Sequence, residues 1–103
     1  MTKYILGFHG GMPPANPEEG AKAMAKWVDW YKGMGGAVAD MGNPAGPSKT
    51  IAADGRVTTT NGNALTGYSI LEAESLDDAI SLARGCPIYA AGGSVEVAEL
   101  MSM

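Results

Sequence analysis

GYSILEAESLDDAISLARGCP (residues 67–87) holds a strand and a helix in direct succession. Tyr68–Ala73 (YSILEA) is short, apolar and aromatic at its start, which favours a pleated strand. Ser75 follows, with Asp78 three residues on, the spacing of a capping box. Leu76, Ala79, Ile80 and Ala83 then recur at helical intervals. Arg84 and Gly85 suit the end of that helix, because a cation meets the negative helix terminus and glycine accepts a left-handed stop. Cys86-Pro87 closes the turn. Ser94–Leu100 (SVEVAEL) reads as the final strand.

The N-terminal half carries the same layout. Lys3–Phe8 (KYILGF) reads as a strand that runs into His9, the chain's only histidine. Pro13, Pro14 and Pro17 exclude continued strand pairing and any helix before residue 17. Asn16 is placed to cap the next helix, with Pro17 at its first position and Glu18 and Glu19 in its first turn. That helix is predicted to reach about Met34, where Gly33, Gly35 and Gly36 stop it. Met24, Trp27, Val28 and Tyr31 fall on its apolar arc, Trp30 at the margin of that arc, and Lys22, Lys26 and Asp29 opposite.

Ala37–Met41 (AVADM) is a second strand, and GNPAGP is a loop. Thr50–Ala53 and Arg56–Thr60 flank Asp54-Gly55, which predicts a hairpin with a type I′ turn. Asn61-Gly62-Asn63 breaks the chain again. The order predicts an α+β fold, ferredoxin-like β-α-β-β-α-β with an extra hairpin, and two helices on one face of a mixed or antiparallel sheet. The other face then calls for a second sheet, so a homodimer enclosing a barrel-like space is expected.

At 103 residues the chain reads as one domain spanning 1–103. Its net charge of −4, with seven scattered basic residues, argues against a nucleic-acid partner and against acidic membrane surfaces. No run approaches the roughly 20 apolar residues that cross a bilayer, and MTKYILG lacks the apolar stretch of a secretory signal. The single Cys86 excludes an intrachain disulfide and fits a reducing, cytoplasmic setting.

Several stretches together resemble the YCII-related family, in particular its DGPF branch: YILGFHGG, PPANPEEGAKAMAKWVDWYKGMGG, GNPAGPSKTI, GYSILEAESLDDAISLARGCP and GGSVEVAEL. The resemblance implies a dimeric α+β barrel of ferredoxin-like subunits with a cleft in each. Most members lack an assigned activity; a related branch contains a dehydrochlorinase. The branch's Asp-Gly-Pro-Phe segment is degenerate here, where TTTNGNALTGY stands and Asn61-Gly62 occupies the corresponding turn. The histidine of the characterised branch sits near the start of the first helix. Pro17–Met34 contains none, so His9 is a different position.

His9 has the intrinsic chemistry to shuttle protons near neutrality, and Asp40 is the candidate to orient its ring. Trp27, Trp30 and Tyr68 are candidates to contact a small organic ligand, Trp30 at a subunit contact or a cleft rim. FHGGMPP lacks the spacing of a dinucleotide fingerprint, and one histidine with dispersed acids makes no metal site, so no cofactor and no metal are expected. Cys86 lies past a helix end rather than at a helix start, where a thiol would be activated. These residues fit a small-molecule-binding homodimer. Two alternatives compete with it: a cofactor-free lyase or isomerase using His9 and Asp40, and a noncatalytic interaction module.

Overall fold

A computed structural model describes residues 1–60 and 63–103. The Asn61-Gly62 break lies outside the described residues. Strand β1 (Thr2–His9) leads through the proline-rich bend to helix α1 (Pro17–Met34) and, after a 3-10 turn at Gly35–Ala37, to β2 (Val38–Asp40). Strands β3 (Lys49–Ile51) and β4 (Val57–Thr59) form the hairpin. Then come β5 (Leu65–Ala73), α2 (Leu76–Ala83), a 3-10 segment at Pro87–Ala91 and β6 (Ser94–Glu99).

Local chemistry sets these boundaries. The Asn16 side chain accepts a hydrogen bond from the Glu19 backbone N–H at 2.8 Å, and Ser75 Oγ accepts from the Asp78 N–H at 3.1 Å. Each satisfies a donor that the helix itself leaves open. The Asp54-Gly55 turn is not type I′, which needs positive φ at both central residues. Among the described residues no non-glycine has positive φ; Gly55 alone turns left-handed here, at 89°. The Gly55 N–H donates to Ala52 O and the Ala52 N–H to Arg56 O. A tight turn closed by a glycine bulge fits those bonds.

Four strands form one sheet in the order β2-β5-β1-β6, every pair antiparallel. The hairpin β3–β4 is a separate two-stranded sheet. The α+β class therefore holds, but the expected barrel does not. The larger sheet is open, with β2 and β6 as its edges. Nor is this a clean ferredoxin-like β-α-β-β-α-β topology, because the free-standing hairpin splits the chain between β2 and β5. The barrel expectation takes the second face of an apolar-rich short chain to need another sheet as cover. That face instead carries Lys3, Ile5, Gly7 and His9 on β1, Tyr68, Ile70 and Glu72 on β5, and Glu96 and Ala98 on β6. Such a mixed surface does not demand a second sheet.

The opposite face holds the core. Tyr4, Leu6 and Phe8 of β1 alternate inward with Ser69, Leu71 and Ala73 of β5, all buried. Ala79 and Ala83 of α2, Cys86 and Ile88 close over them. The overall extents of 43 × 43 × 18 Å suit one helix layer on one sheet.

Helix α1 is rotated from the sequence reading. Gly20, Ala23, Trp27, Trp30, Tyr31 and Met34 face inward, while Met24 (64% exposed) and Val28 face outward. Trp30 belongs to the core packing rather than a rim. Its indole N–H donates to Leu82 O at 3.1 Å, and its ring stands against Phe8 and Trp27 edge-on. A partly buried indole needs such a partner, and Leu82 of α2 supplies it.

Candidate functional site

His9 ends β1 on the open face. In register it sits opposite Ser94 of β6 and Leu65 of β5, where an irregularity after Phe8 skips Thr66. That irregularity is bound by the Thr66 hydroxyl, which lies 3.1 Å from Phe8 O and 3.2 Å from Gly10 O. It brings Leu65 onto the face of His9. The next residue inward on that face is Gly7. A methyl group there would lie 3.3 Å from a Leu65 methyl carbon and 3.6 Å from His9 Nε2. With no side chain at Gly7, the imidazole lies down over the strand and reaches diagonally to Glu96.

The ring is held at both nitrogens. Nδ1 is 3.0 Å from Asn63 O, and Nε2 is 3.1 Å from Glu96 Oε1. Each ring nitrogen thus has an oxygen within hydrogen-bond distance, which fixes the plane and the tilt of the imidazole. The His9 side chain is 11% exposed and that of Glu96 71%. One carboxylate oxygen is thus steered by a nearly enclosed imidazole while Glu96 itself reaches solvent. Tyr68 projects from the same face, opposite Gly7 in register.

The helix-covered side has a separate groove of about 1040 Å³ beside the start of α1 and the loop after β2. Phe8, Trp27, Tyr31, Pro44 and Ile88 supply apolar wall. Ser69 Oγ donates to Met41 O at 2.7 Å and lies 2.7 Å from the Tyr31 hydroxyl. Burial pushes the Tyr31 phenol above its ordinary range, partly offset by the Ser69 hydrogen bond. Burial also pushes the Cys86 thiol up to about 11, against a smaller opposing pull from a hydrogen bond with the Ile88 backbone. A thiol so held remains protonated at neutrality and is a poor nucleophile.

The sequence candidates therefore divide. His9 and Tyr68 share the open face. Trp27 lines the groove on the other face, and Trp30 packs against α2. Asp40 lies on β2, separated from β1 by β5, and its carboxylate accepts from the Gly42 N–H at 2.8 Å. The structure gives His9 the partner Glu96 instead. Sequence reasoning missed Glu96 and Asn63. The alternation SVEVAE does signal that Glu96 points away from the valines. Its meeting with His9 depends on the long-range pairing of β6 with β1.

Among the described residues no group of three or more His, Cys, Asp or Glu side chains is placed to hold a metal ion, and no helix is long and apolar enough to cross a membrane. Comparison with the curated proteins finds no match. Residues 11–103 match the family model of the YCII-related domain, a match that begins two residues after His9, and the chain belongs to that family.

Proposed function

We propose that the domain is a cofactor-free acid–base catalyst of the lyase or isomerase type, acting on a small organic substrate at the His9–Glu96 pair. The supporting observation is the 3.1 Å contact between His9 Nε2 and Glu96 Oε1, with the ring fixed from behind by Asn63 O. In this reading the Glu96 carboxylate takes a proton from an activated carbon. The electron pair left behind either expels a leaving group, or a proton returns at a second carbon. His9 is the group that orients the carboxylate through Nε2, and the Tyr68 phenol on the same face is the hydrogen-bond donor of this reading. The small-molecule-binding barrel is set aside, because the sheet is open.

The reading takes the chain as a single-domain homodimer in a cytoplasmic setting. The exposed hairpin, with Ile51 71% and Val57 58% accessible, supports association. The same hairpin is what favours the second reading, a noncatalytic interaction module.

The deciding experiment incubates the protein in deuterium oxide with a panel of small carbonyl C–H acids and follows exchange by proton NMR. Glu96→Gln keeps the shape of an exposed side chain and is expected to slow exchange about 100-fold, within the usual range for losing a general base. Exchange that survives Glu96→Gln removes the pair from the mechanism. Absence of exchange across the panel favours the interaction module.

A further inference from the structure

The sheet has two free edges among the described residues, and they differ. β2 has three residues, an irregular register against β5, and Pro44 soon after it. β6 has six residues in unbroken register with β1. The Leu100 N–H donates to Lys3 O at 2.9 Å, continuing that register. In an antiparallel ladder the bonded residues alternate. Leu100, Ala98, Glu96 and Ser94 therefore turn their backbone groups toward β1. Val95, Val97 and Glu99 turn theirs outward, where no strand among the described residues meets them.

The side chains of Val95 and Val97 line a crevice of about 560 Å³, completed by Ile80, Ala83, Arg84 and Tyr89. Open backbone groups thus run beside an apolar slot, spaced by two residues as the side chains are. Arg84 stands at this slot and makes no ion pair among the described residues. The Tyr89 hydroxyl donates to Ala83 O at 2.8 Å, which fixes the phenol as a wall.

We propose that the outer edge of β6 docks an extended peptide segment of another protein as an added antiparallel strand. The peptide's aliphatic side chains enter the crevice and a carboxylate meets Arg84. Strand addition draws affinity from main-chain hydrogen bonds and selectivity from pockets for alternate side chains, and both are laid out here. The unpaired guanidinium selects the peptide's C-terminal carboxylate. A second copy's β6 fits the seam less well, because it brings Glu96 and Glu99 from each strand to one two-stranded junction. The site lies on the opposite face from the His9–Glu96 pair and does not depend on that pair's chemistry.

The test uses the full chain, isotopically labelled, and a fluorescein-labelled octapeptide alternating Thr and Val that ends in a free carboxylate. Saturable binding is expected, with the amide signals of Val95 and Val97 moving most. In an antiparallel addition the peptide residues facing the crevice are also those bonded to β6. N-methylation of the peptide valines should therefore abolish binding, and N-methylation of its threonines should leave it. Arg84→Gln should weaken the carboxylate peptide about tenfold and leave the C-terminal amide peptide unchanged. Equal effects of the two methylation patterns would overturn the proposal. So would shifts confined to other residues, absence of binding, or concentration-dependent dimers that shield Val95 and Val97 and exclude the peptide.

Discussion

The two faces of the four-stranded sheet are built from the same strands and behave as different materials. On the helix-covered face Leu6 and Leu71 have no accessible surface, and even the polar Ser69 is fully enclosed. Its hydroxyl is satisfied by Met41 O and Tyr31. On the open face, one residue further along each strand, Ile5, His9, Tyr68 and Ile70 remain partly accessible. The alternation of a β-strand makes this possible, since adjacent residues answer to opposite environments. Stability is concentrated on one face, and the other is left free to carry a polar pair.

Adjacent positions on β5 test that division most severely. Leu71→Ala should cost about 3–4 kcal/mol, because it removes enclosed methyl groups and leaves a cavity between packed layers. Ile70→Ala should cost about 1 kcal/mol, because its methyl groups give up less buried area. Urea midpoints measure both, with the same denaturant slope expected. Near-equal losses would mean that the open face is covered in solution.

Gly7 sharpens the comparison from the other side. A valine there suits a strand, yet its branches would occupy the space over which the His9 ring lies. Gly7→Val should move the thermal midpoint by only a few degrees. It should separate His9 from Glu96, with a proton-exchange loss approaching that of Glu96→Gln. Unchanged exchange would show that the ring need not lie across Gly7.

Much of this division is legible in the sequence, and the limits follow from range. The caps at Asn16 and Ser75 are local, three-residue events, and the helices begin where they indicate. Strands β1, β5 and β6 declare themselves as short apolar runs with aromatic or branched residues. The rotation of α1 was not legible, because Met24 and Val28 are as apolar as the residues that turn inward. What decides is the cluster of large rings: Trp27, Trp30 and Tyr31 pack edge-on or tilted with centroids within 6.2 Å of one another and carry the helix with them. The partner of His9 was hidden for a related reason. Asp40 and Glu96 are equally plausible carboxylates until the strand order is known, and that order places β1 between β5 and β6. The barrel expectation failed on composition, since Lys3, Gly7, Glu72 and Glu96 interrupt the face that a second sheet would have covered.

The helix-covered face also has a pH signature. Burial raises the Cys86 thiol from 9.0 in the unfolded chain to about 11 in the fold, and Tyr31 moves in the same direction. The protonated forms are thus favoured by the folded state. The protonated thiol's stabilising contribution is complete below about pH 9 and is lost as pH rises through about 11, because the unfolded chain releases its proton first; burial of Tyr31 adds a loss of the same sign on the alkaline side. Urea midpoints should fall between pH 9 and 11, and Cys86→Ala should flatten part of that fall, leaving the part due to Tyr31. A maleimide reagent should label native Cys86 far more slowly than the unfolded chain at pH 8. Fast native labelling, or an identical pH slope in Cys86→Ala, would place the thiol in contact with water and break the contrast between a sealed face and an open one.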